Sequence, residues 1–418
     1  MAVIDLGELR DDAPAPGAPL RPPRAVGRPF RSAVVLLVAL VTLAAAAPPQ
    51  RPAPRRIPGG SGAAAFLSGD RVYVVRPAAH RVGRDVVAYH EGRRLWRAAM
   101  PGAGDGVGVW EQGGRVLTVG RAGAGEEWET VAFDAGTGAL RWRQPGVAFP
   151  AGAALLLRPV GGSTSTAVRR LAPADGRTLW TAPVAPHQNV QFSYGPSGVD
   201  RILLVPNSGE TVVLDAVSGA RLVARDLHPQ GPPGARAMQS ADGLLLEILG
   251  AGATVNAYEL DTLRLRWTAE LPQVSYLRRC GALLCATRGT AGMWALDPAT
   301  GAVRWSSDLW TQVLGSAAGR LLVAAGRSGA EGLSVLNEAD GRLVAELGDW
   351  DVVPQGEAAG PLLLTRPLGA GRALLAEPDL SGRPPVVRDV LTGTDCTAGT
   401  TLLVCREPGG DFTVRRLP

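Results

Sequence analysis

The chain has 418 residues, contains Arg but no Lys, and carries a formal net charge of +5. Its length allows two or three ordinary domains or one large repeat domain. Residues 1–62 hold eight Arg and four acidic residues, which leaves 35 Arg and 34 acids in residues 63–418. A domain of such balanced charge has no basic field to attract nucleic acid, so no nucleic-acid partner is expected.

The chain begins with a polar tail and a short apolar segment. Residues 1–31 are rich in proline and are predicted to form a disordered cytoplasmic tail. The sixteen residues 32–47 carry no charge, and we interpret residues 32–48 as a transmembrane signal-anchor helix, although a full span needs about 20 apolar residues. A cleaved signal peptide, which would leave the domain secreted, and a buried core helix are the alternatives.

A Pro-rich linker is predicted over residues 49–62, where it would hold the following domain off the bilayer. Four Arg lie in the eleven residues before the apolar segment, Arg21, Arg24, Arg28 and Arg31, and three follow it, Arg51, Arg55 and Arg56, which weakly favours a cytoplasmic amino terminus. We therefore expect residues 32–48 to anchor the chain in the cytoplasmic membrane and the domain of residues 63–418 to be extracytoplasmic.

A ten-residue pattern recurs along residues 63–418 with a period near 40 residues. An apolar run of four to seven residues lies some 20 residues before the end of most copies, and each run predicts a buried strand. A fixed period of this length indicates a repeat architecture. The copies end at Trp96, Trp142, Trp180, Val223, Trp267, Trp305 and Ala345, and residues 377–387 look like a degraded eighth copy.

The decapeptide itself predicts a β-hairpin. In residues 296–305, LDPATGAVRW, Asp297 can accept backbone N–H groups of the turn and Gly301 can supply the left-handed conformation that returns the chain. Four short strands per period are typical of a propeller blade, so the sequence predicts an all-β, eight-bladed β-propeller of four-stranded antiparallel blades, with seven or nine blades left open. The tryptophans expected to act as wedges between blades are Trp96, Trp142, Trp180, Trp267 and Trp305.

The final segment, residues 394–418, offers three strands and no fourth. A ring of blades needs a strand from one terminus to complete the blade that contains the other terminus. The sequence therefore predicts that a strand near the start of the domain closes the ring.

Two pairs of cysteines each bracket a short apolar strand. Their spacing predicts two cross-strand disulfides, Cys280–Cys285 and Cys396–Cys405, with four buried free thiols as the alternative. Even pairing in local hairpins indicates an oxidising compartment. Neither spacing is that of a zinc site and no His lies near, so no metal site is predicted.

The pattern Asp-x-x-x-Gly-x-x-x-Trp resembles the repeat of the pyrrolo-quinoline quinone (PQQ)-type β-propeller family, most closely in the copies ending at Trp142 and Trp305. The opening residues, VIDLGELRDD, and the order of tail, anchor and propeller resemble uncharacterised membrane-anchored actinobacterial members. The resemblance implies a propeller over residues 63–418 and makes a PQQ cofactor possible. A quinoprotein dehydrogenase would, however, have adjacent cysteines and Glu, Asn and Asp ligands for calcium, and this chain shows neither.

No motif of catalysis is present: HExxH, Walker A and GxSxG patterns are all missing from the sequence. We predict no catalytic residue, and the cofactor-binding residues remain unknown. The leading hypothesis is a non-enzymatic scaffold that binds a protein or cell-envelope ligand on a propeller rim, through loops at residues 101–108, 121–129 and 228–238. The alternative is a propeller that binds a quinone cofactor or small molecule in its channel and has oxidoreductase activity.

Overall fold

The chain divides into two compact parts, residues 1–52 and residues 53–418. The computed structural model describes residues 33–38, 53–80, 83–100, 108–121, 127–159, 166–185, 188–206, 209–227, 237–250, 253–289, 292–326, 332–356 and 360–417. In the first part, residues 33–38 are helical, and the rest of the predicted tail and apolar segment lies outside the described residues. Among the helices that can be described, none is long and apolar enough to cross a membrane.

The second part, called the main domain below, is all-β in its described residues. The 36 strands in the described residues form groups of four antiparallel neighbours, and each group is called a blade here. The first strand of a blade pairs with the second, the second with the third and the third with the fourth. Strand β1 (Arg55–Ile57) belongs to the last blade.

The strands of blades 1 to 4 lie between Ala64 and Asp226. Blade 1 consists of β2 (Ala64–Ser68), β3 (Arg71–Pro77), β4 (Arg84–His90) and β5 (Arg93–Met100). Blade 2 consists of β6 (Gly108–Gln112), β7 (Arg115–Arg121), β8 (Trp128–Asp134) and β9 (Leu140–Pro145). Blade 3 consists of β10 (Val147–Ala151), β11 (Ala154–Arg158), β12 (Ala167–Leu171) and β13 (Thr178–Pro183). Blade 4 consists of β14 (Gln188–Gly195), β15 (Gly198–Pro206), β16 (Glu210–Asp215) and β17 (Arg221–Asp226).

The strands of blades 5 to 9 follow in the same order. Blade 5 consists of β18 (Ala237–Ala241), β19 (Leu244–Leu249), β20 (Thr254–Glu259) and β21 (Leu265–Glu270). Blade 6 consists of β22 (Val274–Cys280), β23 (Leu283–Arg288), β24 (Met293–Leu296) and β25 (Val303–Ser307). Blade 7 consists of β26 (Trp310–Ala317), β27 (Arg320–Ala325), β28 (Leu333–Asn337) and β29 (Leu343–Gly348). Blade 8 consists of β30 (Asp351–Val352), β31 (Leu364–Gly369), β32 (Arg372–Glu377) and β33 (Val386–Thr392). Blade 9 consists of β34 (Thr394–Ala398), β35 (Leu402–Arg406), β36 (Phe412–Arg416) and β1.

Blade 9 joins the two ends of the main domain. Its first three strands are β34, β35 and β36, and its fourth strand is β1, which pairs antiparallel with β36 so that Ile57 lies opposite Phe412. Arg56 Nε of β1 also donates a hydrogen bond of 2.7 Å to Glu407, which lies between β35 and β36. The main domain therefore begins at Ala53, and part of the segment predicted to be a linker over residues 49–62 is a strand of the fold.

The described residues contain nine blades, one more than the eight expected from the sequence and within the range left open there. The hydrogen-bonded sheets are not all separate. Strands β10 and β15 pair at a single position, where Ala151 lies opposite Gly198, and this joins blades 3 and 4 into one eight-stranded sheet. The eight-bladed expectation is thus not confirmed.

Buried apolar side chains join each blade to its neighbour. In the described residues, nine clusters lie one at each boundary between consecutive blades, and one of them joins blade 9 to blade 1 through Ile57, Phe412 and Val74. In blade 1 the second and third strands, β3 and β4, are buried along most of their length because a neighbouring blade covers each face. First strands of neighbouring blades contact one another, for example β18 and β22, which places them on the inner side of the ring.

Candidate binding site

The five tryptophans predicted to be wedges occupy equivalent places in blades 1, 2, 3, 5 and 6. Each indole Nε1 donates a hydrogen bond of 2.8–3.0 Å to a backbone carbonyl oxygen in the decapeptide turn of the next blade. The ring also lies against the glycine of that turn, as Trp142 does against Gly176. These side chains therefore hold blades together. The acceptor residues, in order, are Ala135, Pro173, Val217, Pro298 and Glu338.

The repeated carboxylates of the decapeptides are engaged in their own turns. Asp134 Oδ1 accepts hydrogen bonds from the backbone N–H groups of Gly136 and Thr137, both at 3.1 Å, and Oδ2 accepts one from Arg141 at 2.8 Å. Arg141 and the Thr137 hydroxyl lower the pKa of the Asp134 carboxyl to about 2. These contacts explain the presence of the Asp134 carboxylate, because it stabilises the turn in which it lies.

Both disulfides predicted from the sequence are present, Cys280–Cys285 in blade 6 and Cys396–Cys405 in blade 9. Each joins the first strand of its blade to the second. All four cysteines are buried. The bonds therefore fasten the inner hairpins of two blades.

The described residues do not fit a calcium-bound quinone. They contain no group of three or more His, Cys, Asp or Glu side chains that could hold a metal ion, and the paired cysteines are separated by five and nine positions instead of being adjacent. Oxygen ligands from several carboxylates are what a calcium ion requires. We therefore derive no redox step for this chain.

The two described histidines, His80 and His90, belong to no such cluster. His90 is the last residue of β4, and its Nδ1 lies 3.3 Å from Asp70 Oδ2. His80 is exposed, while His187 and His228 lie outside the described residues. Most of the three predicted rim loops also falls outside them, namely residues 101–107, 122–126 and 228–236.

A cleft between blades 6 and 7 is the strongest candidate for a binding site. It has a volume of about 360 Å³, and its walls include Tyr276, Arg278 and Thr287 of blade 6 and Gln312 of blade 7. We call it the Arg278 cleft. Its remaining lining residues are Ser275, Cys285, Arg288, Gly289, Met293, Thr311 and Val313.

The irregular register of β22 determines which side chains reach the Arg278 cleft. Pairing with β23 shifts between Val274 and Tyr276, so that Ser275 is bulged. After the bulge, Arg278 lies opposite Cys285, whose side chain packs toward blade 7. Arg279 takes the other face and donates a hydrogen bond of 2.6 Å to Asp242 of blade 5. Bulges commonly redirect side chains in this way beside functional sites.

The two guanidinium groups of the Arg278 cleft differ in their partners. Arg288 forms an ion pair with Asp308 and lies 4.1 Å from the centre of the Trp294 ring. The Arg278 side chain is exposed, and its guanidinium has no hydrogen-bond or ion-pair partner among the described residues. The cleft therefore presents one positive charge that no described carboxylate neutralises.

The floor and the polar edge of the Arg278 cleft have complementary chemistry. Cys285, Met293 and Val313 are buried and supply an apolar floor. Thr311 donates its hydroxyl hydrogen to Gly326 O at 2.6 Å and is thereby satisfied. The Gln312 amide is exposed, and no partner for it is found in the described part of the chain.

A larger cleft of about 680 Å³ lies between blades 7 and 8. Its carboxylates are already engaged: Glu377 pairs with Arg388, and Asp379 accepts the backbone N–H of Ser381 at 2.8 Å. Both carboxylates of this cleft therefore already have partners, and neither is left for a ligand. The Arg278 cleft is therefore the better candidate.

Comparison with known proteins agrees with the repeat pattern. Residues 164–286 match the model of a family described as outer membrane protein assembly factor BamB, of the PQQ type. No curated protein matches the chain by sequence.

Solved structures of low sequence identity are also similar. BamB from Moraxella catarrhalis is 17% identical, with a TM-score of 0.47 over 88% of this chain and 99% of that chain. The computationally designed protein Ika8 is 14% identical, with a TM-score of 0.48 over 77% and 99%. The quinohemoprotein alcohol dehydrogenase from Comamonas testosteroni is 15% identical, with a TM-score of 0.39 over 64% and 63%. The family match over residues 164–286, together with the repeats of the chain, supports its resemblance to the PQQ-like β-propeller family.

Proposed function

We propose that this chain is a membrane-anchored extracytoplasmic scaffold that binds a protein or cell-envelope ligand. The observation that carries the proposal is the Arg278 cleft, where a guanidinium group without a described partner lies beside the 53% exposed Tyr276. An exposed cation that forms no ion pair adds little to folding stability, whereas Arg and Tyr are enriched among residues that dominate binding interfaces. Ligand binding is the role that this arrangement suits best.

The proposed location rests on the chemistry of two other segments. Disulfides Cys280–Cys285 and Cys396–Cys405 favour an oxidising compartment beyond the cytoplasmic membrane. The charge-free residues 32–47 have the composition of a short anchor. The matched family is named after an envelope assembly factor, and this name supports a role at the cell envelope.

Cross-linking in intact cells of the native host tests the scaffold role. The full-length chain is compared with a control that consists of residues 1–52 alone, which lacks every strand of the main domain, and captured species are identified by mass spectrometry. We expect a defined protein or envelope polymer on the full-length chain only. Equal recovery from both would refute the scaffold role.

Protease treatment of spheroplasts tests the location. Trypsin added to intact spheroplasts should remove the main domain when the domain is extracytoplasmic. Protection of the main domain until the membrane is lysed would contradict the proposed orientation.

A further inference from the structure

We propose that the Arg278 cleft binds the carboxylate side chain of an acidic peptide segment in a protein partner. This inference deepens the scaffold function and rests on it. The carboxylate would pair with Arg278, the adjoining peptide group with the Gln312 amide, and a neighbouring apolar side chain with the ring of Tyr276. Each of these three groups faces the same cleft.

The charge of the cleft favours a single carboxylate. Arg278 is the guanidinium that no described residue neutralises, and the planar group can form two parallel hydrogen bonds with a carboxylate. Arg288, which also lines the cleft, is already paired with Asp308, whose side chain is 88% exposed. A second negative charge on the ligand would therefore meet Asp308 without gaining a free cation.

The same charges disfavour a polyanionic polymer or an anionic membrane. Such ligands gain affinity from several cations in a row, each of which displaces counterions. Arg279, the next residue along β22, faces away and is held by Asp242. The cleft thus offers one cation in place of a basic stripe.

The uncharged groups of the cleft suit a peptide. Gln312 carries both a donor and an acceptor and so matches the two hydrogen-bonding groups of a peptide bond. Tyr276 offers a broad apolar ring with a polar tip, which is a common anchor in protein interfaces. Met293 and Val313 give the floor an apolar character that a peptide side chain can cover.

The rigidity of the walls supports preformed binding. The Cys280–Cys285 disulfide lies on the face of blade 6 that carries Arg278, and Trp305 fastens blade 6 to blade 7 through its hydrogen bond of 2.8 Å to Glu338 O. Walls held in this way lose little conformational entropy when a ligand binds. The Arg278 cleft is therefore a preformed binding site.

A peptide pool tests the proposal with the full-length chain. The probes are end-capped pentapeptides with randomised flanks, one pool with Glu fixed at the centre and a matched pool with Gln. Immobilised chain is incubated with both pools, and retained peptides are counted by mass spectrometry. We expect the Glu pool to be enriched roughly tenfold or more over the Gln pool, since a carboxylate–guanidinium pair is a charge-assisted contact.

Two neighbouring arginines provide the matched variants. Arg278→Gln should bring the Glu-to-Gln enrichment close to one, whereas Arg279→Gln, on the opposite face of β22, should leave it unchanged. Tyr276→Ala should lower total peptide retention severalfold while the preference for Glu persists. Thermal unfolding by circular dichroism must show the Arg278→Gln chain folded, which is expected because the side chain is exposed.

The outcomes separate this inference from the scaffold function. No preference for Glu in the wild-type chain, or a preference that survives in Arg278→Gln, overturns the carboxylate site. Binding to phosphatidylglycerol vesicles that depends on Arg278, without peptide preference, overturns it in favour of a phosphate ligand. In the cellular cross-linking, equal capture of one partner by wild type and Arg278→Gln refutes the carboxylate site but leaves the scaffold function standing. Capture of no partner by either chain refutes the scaffold function.

Discussion

The indole of Trp142 donates a hydrogen bond of 2.9 Å to the carbonyl oxygen of Pro173 in the next blade. Its ring lies so close to Gly176 that a methyl group there would approach the ring to 2.7 Å. The same relationship recurs with Trp96, Trp180, Trp267 and Trp305. Glycine in the turn therefore serves two purposes, because it adopts the left-handed backbone and leaves room for the neighbouring ring.

Gly176→Ala is predicted to destabilise the main domain more than Gly152→Ala. Both glycines have positive φ, +70° and +61°, but nothing lies within 4 Å of a methyl group at Gly152. Each substitution should cost about 1–2 kcal/mol for the left-handed backbone, and Gly176→Ala should cost a further 1–3 kcal/mol of overpacking. Urea unfolding measures the difference. Equal midpoints for the two variants would show that the ring adapts freely.

The closing strand β1 gives a second prediction. Ile57 is fully buried between blades 9 and 1, so Ile57→Ala should lower the free energy of unfolding by about 2–5 kcal/mol. Val386→Ala is the control, because Val386 is 45% exposed and truncation at such a position changes stability by about 0.5 kcal/mol or less. If Ile57→Ala unfolds like Val386→Ala in urea, β1 does not close the ring.

The disulfides give a third prediction. Loop closure over the short segments Cys280–Cys285 and Cys396–Cys405, five and nine residues apart, should stabilise the domain by about 2 kcal/mol and 2.5 kcal/mol. Replacing a pair by serine should lower the urea midpoint accordingly.

The thiol count tests the compartment. Protein purified from the native host should show no free thiol under denaturant and four thiols after reduction. Four thiols before reduction would argue against the proposed location.

Local turn chemistry made much of this fold predictable. The Asp, Gly and Trp of LDPATGAVRW act within ten residues, so the hairpin between third and fourth strands is visible in the sequence. The copies ending at Val223 and Ala345 lack the indole, yet both still form hairpins because the turn chemistry persists. The two cysteine pairs were predictable for the same reason, since each spans one hairpin.

Features that depend on distant partners were not predictable in the same way. The eight decapeptide copies mark the hairpins of eight blades, but blade 9 has none because its fourth strand comes from the start of the domain. A closing strand near the start of the domain was predicted, but its position was not, because residues 55–57, Arg-Arg-Ile, have no strand pattern of their own and become β1 only against β36. The Arg278 cleft depends on bulges at Ser275 and near Thr311, which sequence alternation does not reveal.

Acid should remove a stabilising contribution from the turn at Asp134. Its hydrogen bonds hold the pKa near 2 in the folded chain, below the value of about 3.9 expected for an unfolded Asp. The unfolded chain therefore binds a proton more readily, so the contribution is complete above about pH 4 and is lost as pH falls toward 2. Asp134→Asn should lower the thermal midpoint most at neutral pH, and the difference in thermal midpoint from wild type should become smaller below pH 4.

A second variant tests the cause of the low pKa. Arg141→Gln removes the largest cause, so in its presence the stabilising contribution of Asp134 should be lost at a higher pH. A gap between wild type and Asp134→Asn that stays constant from pH 7 to pH 2.5 would show that the carboxylate charge has no part in holding the turn.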